Sequence, residues 1–357
     1  MRSWSASLER DVLRGIRRTC EAPLESTTLR QSVARQLARL VPSEAYFFPT
    51  LDPDTGLLTQ VFGEGAPPVL KREFLTVLYP SGEAELIIDL ARANDATFVH
   101  SSPQFTSAIE SVGFTHEMRA AFSIDDEPWG FWCGLRERGR PEFTERELAL
   151  VRRVAPWVSR GLRTAVLLAM AQQLSASGDE LKPDMPGVVV VDSRNRVVHR
   201  TPAAADQLAD VASDALAPGQ LPWGVVALLE RQRRGSGDAA ELRMHGRSGR
   251  WYTMRATLTE PDASGRTSSV LVIAPLTRAE LAPLLTRLWG LSAREREVAS
   301  LVARGFATKA IAAKLGISTY TVQDHLDRAS EKVGVRGRRE LLAKLYFEGY
   351  GNRLKQS

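Results

Sequence analysis

The clearest pattern of apolar and polar positions lies in residues 291–341, where three short helical periods are separated by glycine. Ser292 followed by Glu295 has the spacing of a capping box, and Val298, Leu301 and Val302 then recur at helical intervals, predicting a helix from near Ala293 that stops at Gly305. A second short helix is predicted over Thr308–Leu315, with Ile311, Ala312 and Leu315 inward and Gly316 as its stop. Ser318 caps a third, whose inward positions are Val322, Leu326 and Ala329. Its outward face carries Thr319, Tyr320, Gln323, Asp324, Asp327 and Arg328. A fourth helix is expected near Arg338, with Tyr346 and Phe347 completing the small core or part of a dimer face.

Upstream the periodicity alternates between helix and strand. From about 25 to 172, a helical stretch with Val33, Leu37 and Leu40 precedes strand-like runs at Ala45–Phe48, Leu57–Phe62, Met118–Ile124 and Pro128–Leu135. A long helix follows from Thr144, capped through Glu147, and Pro156 is expected to kink it. Between 186 and 275, strands are predicted at Gly187–Val191, Arg196–His199, Ala240–His245, Trp251–Leu258 and Ser269–Ala274, with an alanine-rich helix after the second. The prolines and small polar residues of Ser175–Pro186 mark one boundary. Leu276, Leu281, Leu284, Leu285 and Leu288 suggest a helix leading into the C-terminal periods. The division expected is 1–174 with flanking helices, 186–275, a linker helix over 276–289, and 290–357.

Composition narrows the class. A chain of 357 residues with 43% hydrophobic and 25% charged residues suits two or three ordinary folded domains. Its longest apolar run, around Ala165–Ala171, falls far short of the roughly 18 residues that span a bilayer, so no membrane partner is expected. Arg2, Glu9, Arg10 and Asp11 stand where a secretion signal would be apolar, which predicts a cytoplasmic protein. Cys20 and Cys133 are too few for a disulfide scaffold or metal knuckle, and both are expected to be reduced and structural. The net charge is +5, and from Gly290 onward 13 Lys and Arg face 7 Asp and Glu. The basic end is thus joined to a nearly neutral body, as expected of a nucleic-acid module attached to something else.

The C-terminal segment resembles the LuxR-type helix-turn-helix of bacterial regulators. The resemblance rests on Ser292, Arg294 to Glu297, Gly305, Ile311 with Ala312, Ile317 with Ser318, Thr321 with Val322, His325 with Leu326, and Gly334 with Val335. Two departures stand out: Ala307 and Ala310 replace the capping box common at the second helix, and Gln323 replaces a frequent lysine. The resemblance implies an all-α tetrahelical domain that places its third helix in the major groove of double-stranded DNA, commonly as a homodimer on two half-sites. By position it puts Gln323, Asp324 and Asp327 at base edges. Glutamine matches adenine N6 and N7, and an aspartate accepts from cytosine N4. Asp324 is either such a reader or the partner of a neighbouring arginine. Lys309, Thr321, Lys332, Arg336, Arg338 and Arg339 are the phosphate candidates. His325 is expected to pack or cap within its helix.

Trp129 with Gly130, the strand after them and PEFTERELALVRRVAPWV resemble the closing part of GAF domains, which are small-molecule sensory modules of α+β fold. The order of elements in 186–275 resembles a PAS domain, also α+β. The expected architecture is therefore multidomain: a GAF-like domain, a PAS-like domain and the helix-turn-helix. If the sensory part binds an unidentified small molecule, Phe74, Phe98, Phe122, Trp129, Phe131 and Trp132 are candidates for its pocket. The same aromatics also suit a plain core, with the domains then acting as a scaffold for a partner protein. There is no Walker loop, no phosphoacceptor pattern, and the HExxH-like string at His116 fails because position 120 is alanine. No metal, cofactor or catalytic residue is expected; a reductase built on Cys133 lacks the further cysteines it would need. The long helices over 144–172 and 276–288 are candidate pairing elements between protomers.

Overall fold

The computed structural model describes residues 4–67, 70, 89–90, 96–98, 103–125, 127–176, 185–212, 220–235, 240–263, 265–276 and 289–342. The chain forms two compact units, one carrying two β-sheets and the other the C-terminal helices.

The first unit opens with α1 (Ala6–Glu21) and α2 (Ser26–Leu37). Helix α1 is one of the flanking helices expected of 1–174, but the sequence reading did not place it, although Ser5 caps it and Val12, Leu13, Ile16 and Cys20 form its buried stripe at helical spacing. The first sheet comprises β1 (Ala45–Phe47), β2 (Gly63–Glu64), β3 (Ala96–Phe98), β4 (Phe114–Ile124) and β5 (Glu127–Glu137), with α3 (Pro103–Ser111) before β4 and α4 (Glu145–Ala176) after β5. Its order is β2-β1-β5-β4-β3, with antiparallel neighbours throughout. The Thr144–Glu147 capping box starts α4: the Thr144 amide donates to Glu147 Oε2 at 2.7 Å and the Glu147 amide to Thr144 Oγ1 at 3.3 Å. Pro156 lies inside α4, which continues as one helix to Ala176.

The run Leu57–Phe62 is not a regular strand. It folds back on residues 48–52 through Phe48 N to Phe62 O, Thr50 N to Gln60 O and Asp52 N to Leu57 O, at 2.6–2.8 Å. Side chains intervene in this ladder. Arg30, 1% exposed, donates Nη1 to the carbonyls of Phe48 and Gln60, and Asp52 accepts from the Asp54 amide to close the turn. An apolar alternation cannot report that a distant arginine takes the strand's carbonyls.

The second sheet comprises β6 (Gly187–Val191), β7 (Val197–Arg200), β8 (Ala240–His245), β9 (Trp251–Leu258) and β10 (Ser269–Pro275). Its order, β7-β6-β10-β9-β8, repeats the arrangement of the first. Helices α5 (Pro202–Val211) and α6 (Trp223–Arg234) cover its inner face. One apolar core runs through both sheets, joining Phe47, Leu51, Leu58 and Phe131 to Val189, Leu228, Met254 and Ile273. Burial of each such side chain stabilises by about 1.5–3 kcal/mol.

A polar latch lies across the same junction. Arg243 on β8 donates its amide and Nε to Asp52 Oδ2, each at 3.1 Å, and Nη2 to Asp52 Oδ1 at 3.0 Å and to Asp54. Gln60 Nε2 donates to the His245 carbonyl and Arg231 Nη1 to that of Thr55. The two sheets are thus built as one unit.

The second unit holds α7 (Ala293–Ala303), α8 (Thr308–Leu315), α9 (Thr319–Val333) and α10 (Gly337–Leu342). The fold is multidomain, two α+β sheet assemblies followed by an all-α helix-turn-helix. The expected linker helix, Phe74, Tyr346 and Phe347 lie outside the described residues, as does the side chain of Phe98.

Candidate nucleic-acid interface

Glycines in left-handed conformation punctuate the helical unit as the sequence requires. Gly305 follows α7 at φ 86°, Gly316 ends α8 at φ 65°, and Gly334 ends α9 at φ 72°. Any other residue would carry steric strain at these positions, so the turn between α8 and α9 is set locally. Ser318 then accepts from the Thr321 amide at 3.0 Å and starts α9, whereas Ala307 offers α8 no side-chain cap. Val322, Leu326 and Ala329 point into a core shared with Val298, Val302 and Ile311.

Much of the family motif serves this framework. Glu295, its side chain 4% exposed, accepts from the Ser292 amide at 2.7 Å and binds Lys332 Nζ at 2.7 Å, tying the start of α7 to the end of α9. Arg294 Nη2 donates to the Leu315 carbonyl and Nη1 to Glu297, fastening α7 to the end of α8. Arg296 Nη1 reaches the Leu291 carbonyl. Lys332, expected to contact phosphate, also donates to the Gly290 carbonyl and is therefore engaged within the domain.

Burial pushes the Glu295 carboxyl upward, but the hydrogen bonds from Lys332 and Ser292 outweigh it and hold the group below its ordinary value of 4.5. A carboxyl lowered in the folded state contributes stability above its unfolded pKa and loses it as pH falls through the folded one. Thermal melts from pH 7 to pH 3 should therefore show the helical unit weakening below about pH 4.5, with Glu295→Gln less stable at pH 7 and less sensitive to acid. Equal acid sensitivity in both proteins would remove this pair as the cause.

The outward face of α9 brings Tyr320, Gln323, Asp324, Asp327 and Arg328 together by one- and two-turn spacing. Tyr320 is 82% exposed, which makes it a further candidate for contact. It stood among the outward positions in the sequence, and only its degree of exposure raises it above them. Asp324 Oδ2 pairs with Arg328 Nη2 at 3.0 Å, so of the two roles open to it the structure displays the arginine partnership. Gln323 Nε2 donates to Asp327 Oδ1 at 2.9 Å.

Around this face, Lys309 is exposed on the first turn of α8 and Thr321 Oγ1 lies 2.8 Å from Ser318 Oγ. Arg336 and Arg339 are exposed at the start of α10, and the Arg336 amide donates to Glu340. Arg338 donates Nη2 to the Phe306 carbonyl while its side chain remains at the surface. His325 is half-buried, and among the described residues its Nδ1 has no partner.

The sensory candidates occupy a different environment. Phe122, Trp129, Phe131 and Trp132 are at most 2% exposed, with Phe122 against Phe48 at 5.4 Å between ring centroids. Among the described residues, the buried Trp129 Nε1 has no hydrogen-bond partner. Cys133 donates to Glu117 Oε1 at 2.9 Å, and Glu117 pairs with Arg119 at 2.6 Å. Burial, reinforced by Glu117, pushes the Cys133 thiol well above its ordinary pKa, which leaves it protonated and poorly nucleophilic at neutral pH. Both cysteines are free and buried. Among the described residues no His, Cys, Asp and Glu cluster suits a metal ion, and no helix is long and apolar enough to cross a membrane.

The family profile described as bacterial regulatory proteins, luxR family, matches residues 290–345. The spore germination protein GerE of Bacillus subtilis is 43% identical over 67 residues, which make up 19% of this chain and 82% of that protein. The transcriptional regulatory protein UhpA of Escherichia coli is 47% identical over 60 residues, covering 17% of this chain and 30% of UhpA. Escherichia coli SdiA aligns with 96% of this chain and 97% of its own at 12% identity and a TM-score of 0.35, a likeness too loose to bear on function. Profile and relatives coincide on the four helices whose caps, turns and core are described above, and by them the chain belongs to the luxR family of bacterial regulatory proteins.

Proposed function

We propose that this chain is a sequence-specific DNA-binding transcriptional regulator in which α9 enters the major groove and the two-sheet unit modulates its binding. The observation that carries this reading is the α8–turn–α9 arrangement with an exposed, mixed polar face on α9. Such a face meets base edges, whereas a merely solvated helix has no need of an 82% exposed tyrosine beside a glutamine. Family membership and the printed role of UhpA support it.

Gln323 is the principal base reader, and Lys309, Thr321, Arg336, Arg338 and Arg339 hold the phosphates. The protein acts in the cytoplasm, as a homodimer on paired half-sites, without catalysing a reaction. The domain limits follow the sequence division, with a GAF-like and a PAS-like portion ahead of the helix-turn-helix. A small ligand of the GAF-like portion finds support in the orphan indole N–H of Trp129, a donor that a bound acceptor would satisfy.

The test is selection of genomic fragments by the full chain at a stated salt concentration, because phosphate contacts make affinity salt-dependent. Enrichment of one pseudo-palindromic motif is expected. Recovery of unrelated fragments, or sedimentation as a monomer with DNA bound, would contradict the specific or the dimeric part of the reading.

A further inference from the structure

Resting on that reading, we infer that Asp327 is a positioning residue: it fixes the amide of Gln323 in the one orientation that reads adenine. The contact is a hydrogen bond from Gln323 Nε2 to Asp327 Oδ1 at 2.9 Å, one helical turn apart on the exposed face of α9.

An ionised carboxylate has acceptors and no donor. An amide turned the other way would set its oxygen against the carboxylate, so Asp327 permits only the orientation in which nitrogen faces it. Nε2 carries two protons. With one committed to Asp327, the other remains free beside Oε1, and together they form the donor and acceptor pair that matches N7 and N6 of adenine in the major groove. A glutamine free to flip would present the reversed order in part of the population and lose discrimination.

The arrangement also accounts for an aspartate on a surface built for a polyanion. Asp324 is offset by Arg328 at 3.0 Å, whereas among the described residues Asp327 has the Gln323 amide alone opposite it. Its negative charge costs affinity near phosphates wherever it lies on duplex DNA, and it is retained for what it does to Gln323 rather than for attraction. Direct acceptance from cytosine N4 is the rival role, and it makes a different prediction about which base pair responds.

The experiment is selection from a random duplex library with the full chain and the variants Gln323→Ala, Asp327→Asn, Asp327→Glu and the double variant Gln323→Ala with Asp327→Asn. Gln323→Ala should relax one adenine position by about tenfold. Asp327→Asn, whose amide offers both a donor and an acceptor, should relax that same position by about 1.5- to twofold, on the scale of one side-chain pair at this spacing. Asp327→Glu keeps an acceptor-only partner and should retain the preference. The double variant should match Gln323→Ala, since nothing remains to be positioned.

Thermal midpoints of all four should agree within a degree or two, because the residues lie outside the domain core. If Asp327→Asn relaxes a different position, Asp327 reads a base itself and the inference is overturned. It is equally overturned if the preference survives Asp327→Asn unchanged, or if the double variant relaxes further than Gln323→Ala. A wild-type chain that enriches no motif overturns the DNA-reading proposal as well, and is thereby distinguished from failure of the positioning role alone.

Discussion

An Asp52→Ala variant is expected to lose about 3 kcal/mol of stability in the two-sheet unit. Asp52 and Arg243 have side chains only 2% and 12% exposed, and the pair is made by three hydrogen bonds from Arg243 to the two carboxylate oxygens. Deleting the carboxylate leaves a guanidinium mostly buried, with one partner, Asp54, whose side chain is 42% exposed. It also releases the turn that Asp52 closes through the Asp54 amide. Asp54→Ala removes the solvated partner and should cost less than about 1 kcal/mol. Urea unfolding followed by the fluorescence of Trp129, Trp132, Trp223 and Trp251, which lie in this unit, measures both. A shift for Asp52→Ala no larger than that for Asp54→Ala would show that burial does not amplify this ion pair.

Leu326→Ala is expected to remove most DNA binding by unfolding the helical unit, at a cost of about 2–5 kcal/mol. Leu326 is 2% exposed and packs in a core of about a dozen buried side chains, too few for neighbours to close the cavity. Hydrogen exchange should show amides of α7 and α9 losing protection while β4, β5, β9 and β10 keep theirs. Gln323→Ala provides the contrast: sequence preference changes with little change in protection. If Leu326→Ala binds DNA with native affinity, α9 is not held by the core described here.

The candidate interface was legible to different depths at different residues. Ser292, Gly305, Gly316, Ser318 and Gly334 are punctuation whose meaning is local: they mark where α7 begins and ends, where α8 ends, and where α9 begins and ends, whereas the start of α8 has no side-chain cap. The outward set on α9 follows from helical spacing alone. Engagement does not. Lys332 is a phosphate candidate by sequence, and that its ammonium also pairs with Glu295 follows only once α7 and α9 are packed. The Arg294 to Glu297 motif identifies the family, yet Arg294 and Arg296 are spent on the carbonyls of Leu315 and Leu291.

The sheets divide in the same way. Strands β6, β8, β9 and β10 were visible as alternating or continuous apolar runs, because one face of each is buried against a core. Residues 57–62 carry a similar pattern and form an irregular ladder, in which Arg30 reaches in from α2 to take the carbonyls of Phe48 and Gln60 and Asp52 closes the turn between the two segments. Nothing in the periodicity distinguishes two separate sheet domains from the single core that joins Phe47 and Leu58 to Val189 and Met254.

By itself, the amino-acid sequence determined the family, the helix-turn-helix, most strand positions and the polar face of α9. Caps, glycine turns and periodicity act between residues a few positions apart, so their free energies are written into short stretches of chain. Only tertiary structure decided which charges are engaged within the helical unit, how Gln323 is held by Asp327, and that Asp52 and Arg243, 191 positions apart, lock two sheets together. Those outcomes depend on burial and on ion pairing across packed elements, and both come into being only when distant segments exclude water from one another.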